Sequence, residues 1–422
     1  LFTLAYTGVG GGLVVVTADD PGLFSSQNEQ DNRFYASHAK LAMIEPSDSQ
    51  ESLDFIKEAF AISENFDTPV LFRVSTRICH SKTLVEPGER AEVAVRPYEK
   101  NSAKYVMAPA HAKKRKYLME KRIAALKEFS ETTPLNRVER GEGKTGIITS
   151  GISYNHAKEV FGDGASYLKL GFTWPLPEKK IRDFAASVDA LYVIEENEPY
   201  IEDFVKALGV ACTGREKLPW VDELTPEVIR RAFFPGEAET GGYAIDANIP
   251  PRPPVLCAGC THRGFFYEVG KYKDVVVTGD IGCYNLGAQP PFEAQHTMGC
   301  MGASIGQLHG MSLANLPENR VCTIGDGTFW HSGLPALANM VHNNGRGVVI
   351  LMDNDNTAMT GHQDNPATDY RVLRNVEATK IDIPAVCRAM GVELVKTVNA
   401  FDVNEVEAGL KECMAYDKVS VL

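Results

Sequence analysis

Short, continuous apolar runs recur along this chain, and they restrict its fold more than any other feature. Leu13–Val16, Pro69–Val74 and Val348–Met352 are four to six residues long. Such runs are typical of strands that are buried on both faces of a parallel sheet. Because segments with helical spacing lie between them, the pattern predicts a doubly wound α/β protein.

Changes in composition divide the chain into five predicted segments. They are an α/β domain at 1–90, a basic and helical connector at 91–144, a small α/β domain at 145–213, a proline-rich and extended connection at 214–254, and a third α/β domain at 255–422. The lysines and arginines of the connector indicate a solvated linker helix or, alternatively, a docking surface for an acidic partner. A helix of the first domain is expected to bury one face, made of Phe55, Ala59, Phe60 and Ile62.

The composition excludes several classes of protein. With 43 Lys and Arg against 55 Asp and Glu, the net charge is −12, which argues against a nucleic-acid binder. No run of 18 apolar residues occurs, so we predict no membrane span. Nine cysteines, an odd number, indicate thiols, metal ligands or cluster ligands rather than a disulfide framework, and we expect a cytoplasmic protein.

Two loops that each follow a predicted strand carry the strongest chemical signal. Gly325-Asp326-Gly327 follows one strand, and 25 residues later Asp353-Asn354-Asp355-Asn356 follows the next. In an open α/β sheet such loops meet at the carboxyl ends of neighbouring strands. The Asp326 carboxylate, the Asn354 amide and the Asn356 carbonyl would supply oxygen ligands for Mg²⁺.

The same loops suit a diphosphate. The glycines let the backbone approach closely, and a helix after Thr328 would point its N-terminus at the phosphates. The alternative is that Gly-Asp-Gly is a tight turn by chance, since three residues alone are weak evidence. The paired loops at this spacing favour a site for Mg²⁺ and thiamine diphosphate (ThDP).

Motifs from both ends of the chain resemble one family, the alpha subunits of indolepyruvate:ferredoxin oxidoreductases. The motifs that carry the resemblance are Gly11–Val14, Ala18–Gly22, Ser25–Arg33, Gly279–Tyr284, Cys300–Gly306, Gly325–Phe329 and Thr357–Gln363. The resemblance implies a pyrimidine-type ThDP domain at 1–90, a transketolase-C-terminal-like domain at 145–213 and a diphosphate-type ThDP domain at 255–422. It also implies that the sequence is the middle of a longer subunit, without the glutamate that contacts the aminopyrimidine and without a C-terminal ferredoxin domain.

The activity that the resemblance implies is oxidative decarboxylation of an aryl 2-oxo acid, with coenzyme A as acyl acceptor and ferredoxin as electron acceptor. The implied cofactors are ThDP, Mg²⁺ and a 4Fe–4S cluster, and the implied partner is a smaller beta-type subunit, in a dimer of such units. Two alternatives stay open: a non-oxidative ThDP-dependent decarboxylase and a catalytically silent structural relative.

Three cysteines match the positions that related enzymes use for a 4Fe–4S cluster. They are Cys257 and Cys260 of a C-x-x-C motif and Cys283 of a later Gly-Cys turn. Alone, C-x-x-C also fits structural zinc or plain thiols. The resemblance implies a fourth ligand beyond Leu422; the alternatives within the chain are Cys300, Cys322, Cys387 and Cys413.

The resemblance also implies that Arg33, in the polar loop, binds the substrate carboxylate; the alternative is an ordinary salt-bridged surface arginine. His362 and His296 lie beside the predicted cofactor loops and could move protons, with His362 the better candidate; the alternative for both is a hydrogen-bonded structural histidine. The cofactor-binding set is completed by Gly282, Cys283, Thr360 and Gly361. The acidic run at 195–198 is expected to face water.

Overall fold

The computed structural model describes the 422 residues except 91, 96, 237–248, 251, 315, 317, 318 and 372–375. The chain forms two compact units, Leu1–Ala244 and Ile245–Leu422. Helices and strands alternate through both units, which confirms the predicted α/β class. Each unit is described by itself.

The first unit contains two four-stranded sheets. In spatial order the first sheet consists of β1 (Val14–Asp19), β3 (Val70–Ser75), β2 (Ala42–Ile44) and β7 (Phe172–Trp174). The second consists of β4 (Asn136–Glu139), β6 (Ala165–Leu170), β5 (Thr145–Ser150) and β8 (Ala190–Ile194). Strands β7 and β4 are antiparallel to their neighbours, and the other pairings are parallel.

The described residues of the first unit form ten α-helices. They are α1 (Phe2–Thr7), α2 (Arg33–Ala39), α3 (Ser49–Phe66), α4 (Thr76–His80), α5 (Ser102–Tyr105), α6 (Pro109–Thr132), α7 (Gly151–Phe161), α8 (Glu178–Ala185), α9 (Tyr200–Ala207) and α10 (Pro226–Phe233). Helix α3 buries Phe55, Ala59 and Ile62 as predicted. The prediction for Phe60 is wrong, because its side chain is 48% exposed.

The predicted connector at 91–144 is neither solvated throughout nor separate from its neighbours. Arg115 and Arg122 of α6 are buried and both donate to Asp67, at 3.0 and 2.9 Å. Arg122 also donates to the carbonyl of Ala5 at 2.7 Å. Strand β4, within the same segment, pairs with β6 of the small domain. The arginines therefore anchor α6 to α1 and to the end of α3.

The prediction of an extended connection at 214–254 is wrong for its first half. Helix α10 lies there, with its N-terminus capped by the Thr225 side chain. Leu218, Leu224 and Ile229 are buried in one hydrophobic cluster with residues of α7. In the proline run at 250–254, Pro251 lies outside the described residues, as do residues 237–248.

The second unit is built on a parallel sheet of five strands. In spatial order they are β14 (Leu394–Val395), β15 (Val419–Val421), β11 (Gly347–Met352), β10 (Asn319–Gly325) and β9 (Val275–Thr278). A short hairpin is formed by β12 (Tyr370–Arg371) and β13 (Val376–Glu377). The helices are α11 (His262–Val269), α12 (Ala303–Leu313), α13 (Asp326–Thr328), α14 (Leu334–His342), α15 (Ile383–Ala389) and α16 (Val403–Met414).

Alternate residues of β11 face different helices. Val348 and Ile350 belong to a core cluster with residues of α11 and α16, whereas Val349 belongs to a cluster with residues of α12, α14 and α15. Both faces of the sheet are therefore covered by helices, as in the predicted doubly wound arrangement. In the part of the chain that the structure describes, no helix combines the length and the apolar character needed to cross a bilayer.

Candidate functional site

The two predicted loops begin at paired strand ends. Gly325, the last residue of β10, lies opposite Met352, the last residue of β11, in the parallel register. The turn that holds Asp326 and the turn that holds Asn354 therefore start side by side at the carboxyl edge of the sheet. This is the edge at which open α/β sheets bind ligands.

Three oxygen ligands predicted for Mg²⁺ converge there. The inner terminal atom of the Asn354 amide lies 2.8 Å from the carbonyl oxygen of Asn356 and 3.1 Å from Oδ1 of Asp326. Octahedral Mg²⁺, with bonds of about 2.0–2.1 Å, spaces adjacent oxygens about 3 Å apart. With the amide oxygen turned inward, the three residues fit such an ion; with the nitrogen inward, the amide donates to both acceptors.

The Asp326 carboxylate is buried and its orientation is fixed by a hydrogen bond. It is 2% exposed, and Nδ2 of Asn365 donates to its second oxygen at 2.9 Å. Burial raises the pKa of Asp326 to about 6, and the nearby Asp353 carboxylate contributes to the increase. A bound cation would oppose both effects. Asn365 is not part of a motif recognised in the sequence, so its hydrogen bond to Asp326 was not predicted.

Gly327 brings the two turns into close contact. A Cβ on Gly327 would overlap Oγ1 of Thr357 and would lie 3.1 Å from its Cβ. The helical segment begins at Asp326 rather than after Thr328, and it continues through a π-helical turn at Phe329–Gly333 into α14. The backbone N–H groups of its first turn have no helical acceptors, as a diphosphate site requires.

These turns line a cleft. Among its lining residues are nine of the predicted ones: Gly282, Cys283, Gly325, Asp326, Gly327, Thr328, Asn354, Asn356 and Thr360. Gly361 and His362 are not among them; both are exposed, and His362 adopts a left-handed φ of 59°. His296 accepts from the backbone N–H of Val277 at 2.9 Å, which is a structural contact.

His262 also lines the cleft, and sequence reasoning did not select it. It comes two residues after the C-x-x-C motif and is 3% exposed. Its Nδ1 lies 3.2 Å from Oγ1 of Thr261. Burial lowers the pKa of His262 to about 4, so the imidazole is neutral at physiological pH.

The three cysteines of the predicted cluster lie near one another. Burial raises the pKa of the Cys283 thiol, and the thiols of Cys260 and Cys257 raise it further. Among the described residues, no three or more His, Cys, Asp or Glu side chains form a ready-made metal-binding group. Of the alternatives for a fourth ligand, Cys322, Cys387 and Cys413 are buried in the core, and Cys300 is exposed.

Arg33 does not have the free guanidinium that the prediction required. It is 1% exposed in the first unit and forms two bonds with Asp31 and one with Glu195, at 2.5–2.8 Å. It also donates to the carbonyls of Glu196 and Glu198. With its N–H groups occupied in this way, Arg33 serves the interior of the unit rather than a substrate.

The prediction that the acidic run faces water is wrong for most of its residues. Glu195 is 2% exposed and accepts from the backbone N–H groups of Ile201 and Glu202, at the start of α9. Glu196 and Asn197 are also buried. The run directly follows β8, so the buried carboxylates of Glu195 and Glu196 lie inside the unit at the end of that strand.

Comparisons with known proteins agree with this geometry. Residues 280–422 match the family described as thiamine pyrophosphate enzyme, C-terminal TPP binding domain. Over its whole length the chain is 38% identical to the indolepyruvate oxidoreductase subunit IorA of Methanothermobacter marburgensis, of which it covers 72%. It is 37% and 36% identical to the subunits of that name from Archaeoglobus fulgidus and Pyrococcus horikoshii, again over the whole chain and 71% of each relative.

A solved structure of 2-oxoglutarate:ferredoxin oxidoreductase from Magnetococcus marinus is a more distant match. The two are 18% identical with a TM-score of 0.36, over 41% of this chain and 63% of that one. At that score the similarity supports no argument about function.

Proposed function

This chain belongs to the family of indolepyruvate oxidoreductase IorA subunits, and we propose that it is the catalytic subunit of a ThDP-dependent 2-oxo acid:ferredoxin oxidoreductase. One observation carries the proposal: oxygens of Asp326, Asn354 and Asn356 converge in a cleft that Cys283 also lines. A ThDP enzyme that passes electrons onward needs both a Mg²⁺–diphosphate site and a nearby electron acceptor.

Different residues at the cleft would bind different parts of the cofactor. Asp326, Asn354 and the carbonyl of Asn356 would bind Mg²⁺, and Asn365 orients the carboxylate. Gly327 keeps the two turns close together, so that the diphosphate can lie against the backbone N–H groups at the helix start. When bound, ThDP would supply a nucleophilic carbon for the 2-oxo group and a thiazolium ring that can take up the electron pair of the bond to the departing CO₂.

We propose that Cys257, Cys260 and Cys283 hold a 4Fe–4S cluster with a fourth ligand outside this set. Their proximity supports the assignment, and the exposure of Cys257 leaves one side open. Such a cluster accepts electrons one at a time. Iron and sulfide analysis of anaerobically purified protein tests this: Cys283→Ser should lower the iron content, whereas Cys79→Ser, at an exposed cysteine of the first unit, should not.

The finer description rests on the names of the relatives and on the resemblance. We propose that the substrate is an aryl 2-oxo acid such as indolepyruvate, that coenzyme A takes the acyl group and that ferredoxin takes the electrons. We also propose a smaller beta-type subunit as partner, a dimer of such units and a cytoplasmic location. The proposed domains are a pyrimidine-type ThDP domain at 1–90 and a diphosphate-type ThDP domain at 255–422, with the transketolase-C-terminal-like domain at 145–213 between them.

Replacement of Asp326 tests the proposal. Asp326→Ala should abolish retention of ThDP and Mg²⁺, because it removes a buried oxygen ligand. Asp355→Asn is the matched control, since Asp355 lies in the neighbouring turn, is exposed and pairs with Lys380. The measurements are ThDP and Mg²⁺ content, and 2-oxo-acid-dependent reduction of a viologen dye.

Each outcome separates the candidate functions. Unchanged cofactor content in Asp326→Ala would refute the assigned Mg²⁺ site. Release of free aldehyde by the unaltered protein without dye reduction would identify a non-oxidative decarboxylase. A protein that binds neither ThDP nor Mg²⁺ would be a catalytically silent relative.

A further inference from the structure

Tyr284 lies between the two glycine turns of the cofactor cleft. Its side chain is 2% exposed. A Cβ on Gly282 would lie 2.6 Å from Cζ of the ring, and a Cβ on Gly325 would lie 3.0 Å from Cε1. The ring therefore packs directly on the backbone of both turns. The first turn carries Cys283 and the second leads into Asp326.

The phenol hydroxyl of Tyr284 contacts two further side chains, those of Asp280 and Thr328. It donates to Oδ1 of Asp280, which is fully buried. The other oxygen of Asp280 accepts from the backbone N–H of Gly302 at 3.0 Å and from Oγ of Ser304 at 2.9 Å. Asp280 thereby holds the start of α12. The phenol oxygen also lies 3.4 Å from Oγ1 of Thr328, in the helical turn after Gly327.

We propose that Tyr284 is a positioning residue that couples the Cys283 turn to the diphosphate turn, so that cofactor binding at one fixes the conformation of the other. The inference rests on the proposed function, because it takes this cleft as the ThDP site. Its physical basis is that ring and hydroxyl contact both turns at once. When ThDP and Mg²⁺ order the turn at Asp326 and Thr328, the contacts of Tyr284 transmit that order to Gly282 and Cys283.

Tyr284→Phe isolates the coupling, because it keeps the ring and removes the hydroxyl. The full chain, purified without cluster, is titrated with ThDP at fixed Mg²⁺ in a calorimeter. In parallel, alkylation of Cys283 by iodoacetamide is followed by peptide mass spectrometry with and without ThDP and Mg²⁺. In the unaltered protein we expect the cofactor to slow alkylation of Cys283, with exposed Cys79 as the internal reference.

In Tyr284→Phe we expect the affinity for ThDP to fall about tenfold and the protection of Cys283 to be reduced, because the hydroxyl contacts are lost while the ring contacts remain. The matched control is Tyr167→Phe. Tyr167 is also 2% exposed, and its hydroxyl donates to the carbonyl of Gly162 at 2.8 Å in the first unit. This variant loses a similar buried hydrogen bond, but its affinity and its cofactor-dependent protection should equal those of the unaltered protein.

The outcomes keep this inference separate from the proposed function. If the unaltered protein binds ThDP without protecting Cys283, or if Tyr284→Phe protects it normally, the coupling is refuted while the cofactor site stands. If the unaltered protein does not bind ThDP, the proposed function fails first. Should Tyr284→Phe not fold, Asp280→Asn replaces it, because that substitution weakens the same hydrogen bond, and it should also reduce the protection.

Discussion

Gly327→Ala is the substitution that tests the geometry of the cleft most sharply. The new Cβ would overlap Oγ1 of Thr357 and lie 3.1 Å from its Cβ. Rotation of the Thr357 side chain would remove the first contact but not the second. The Thr357 backbone is itself held, since its N–H donates to the carbonyl of Gln363 at 2.9 Å. The two turns must therefore move apart.

Two opposing terms set the magnitude. Gly327 lies in a helical turn and is not among the glycines with positive φ, so alanine brings no backbone strain and gains about 0.5–1 kcal/mol of helix propensity. Overpacking costs about 1–3 kcal/mol. We expect a net loss of about 1–2 kcal/mol in the free energy of unfolding. Because Asn356 adjoins Thr357, we also expect the affinity for ThDP with Mg²⁺ to fall at least about tenfold.

Urea denaturation and calorimetric titration of ThDP measure the two effects. Gly306→Ala is the matched control, because Gly306 lies inside α12 and a Cβ there would meet nothing within 4 Å. It should stabilise the protein by about 0.5–1 kcal/mol and leave affinity unchanged. Thr357→Gly removes the Cβ that the new methyl group would meet. Combined with Gly327→Ala, it should recover most of the loss relative to Thr357→Gly alone, which a double-mutant cycle would show as coupling. The reasoning is refuted if Gly327→Ala behaves like Gly306→Ala, or if the double variant recovers nothing.

Three further changes have defined outcomes. Burial raises the pKa of Glu196 to about 7, above its ordinary 4.5, so the folded state keeps a proton that the unfolded state loses; stability should fall as pH rises from about 4.5 to about 7. In Glu196→Gln, the loss of unfolding free energy between pH 5 and pH 8, measured by urea titration, should be smaller than in the unaltered protein by at most about 3 kcal/mol. An equal loss in the two proteins would contradict the assignment. Asp67→Ala should lower the free energy of unfolding by about 2 kcal/mol, since it removes the acceptor of two α6 arginines and places alanine at a φ of 52°. Asp67→Asn should lower it less in the same urea titration. Asn365→Ala should weaken Mg²⁺ binding about tenfold or more with little change in melting temperature, and unchanged affinity would show that the hydrogen bond to Asp326 does not matter.

The two turns at the carboxyl edge of the sheet were predictable from local sequence pattern and strand pairing. A short apolar run predicts a buried strand, and adjacent parallel strands end at the same edge, so Asp326 and Asn354 had to come close. The carbonyl of Asn356 followed from its place in the same turn. No long-range information beyond strand pairing was needed.

The misassigned residues depended on contacts that sequence spacing does not reveal. Arg33 has one acidic partner two residues away but another 162 residues away, and the second converts a candidate substrate ligand into a buried ion pair. The basic residues of α6 looked solvated, yet Arg115 and Arg122 reach carbonyl groups and a carboxylate. Asn365 acts only through Asp326, so no motif marks it.

The pairing of β7 with β2 has a consequence for how the first unit can be divided. Residues 172–174 complete a sheet whose other strands come from residues 14–75. A fragment ending at residue 90 would keep the pairing of β2 with β3 but would expose the edge of β2 that faces β7, and an unpaired edge is an aggregation hazard. The two sheets are consequently expected to be inherited together as one evolutionary module, and to melt in a single cooperative transition.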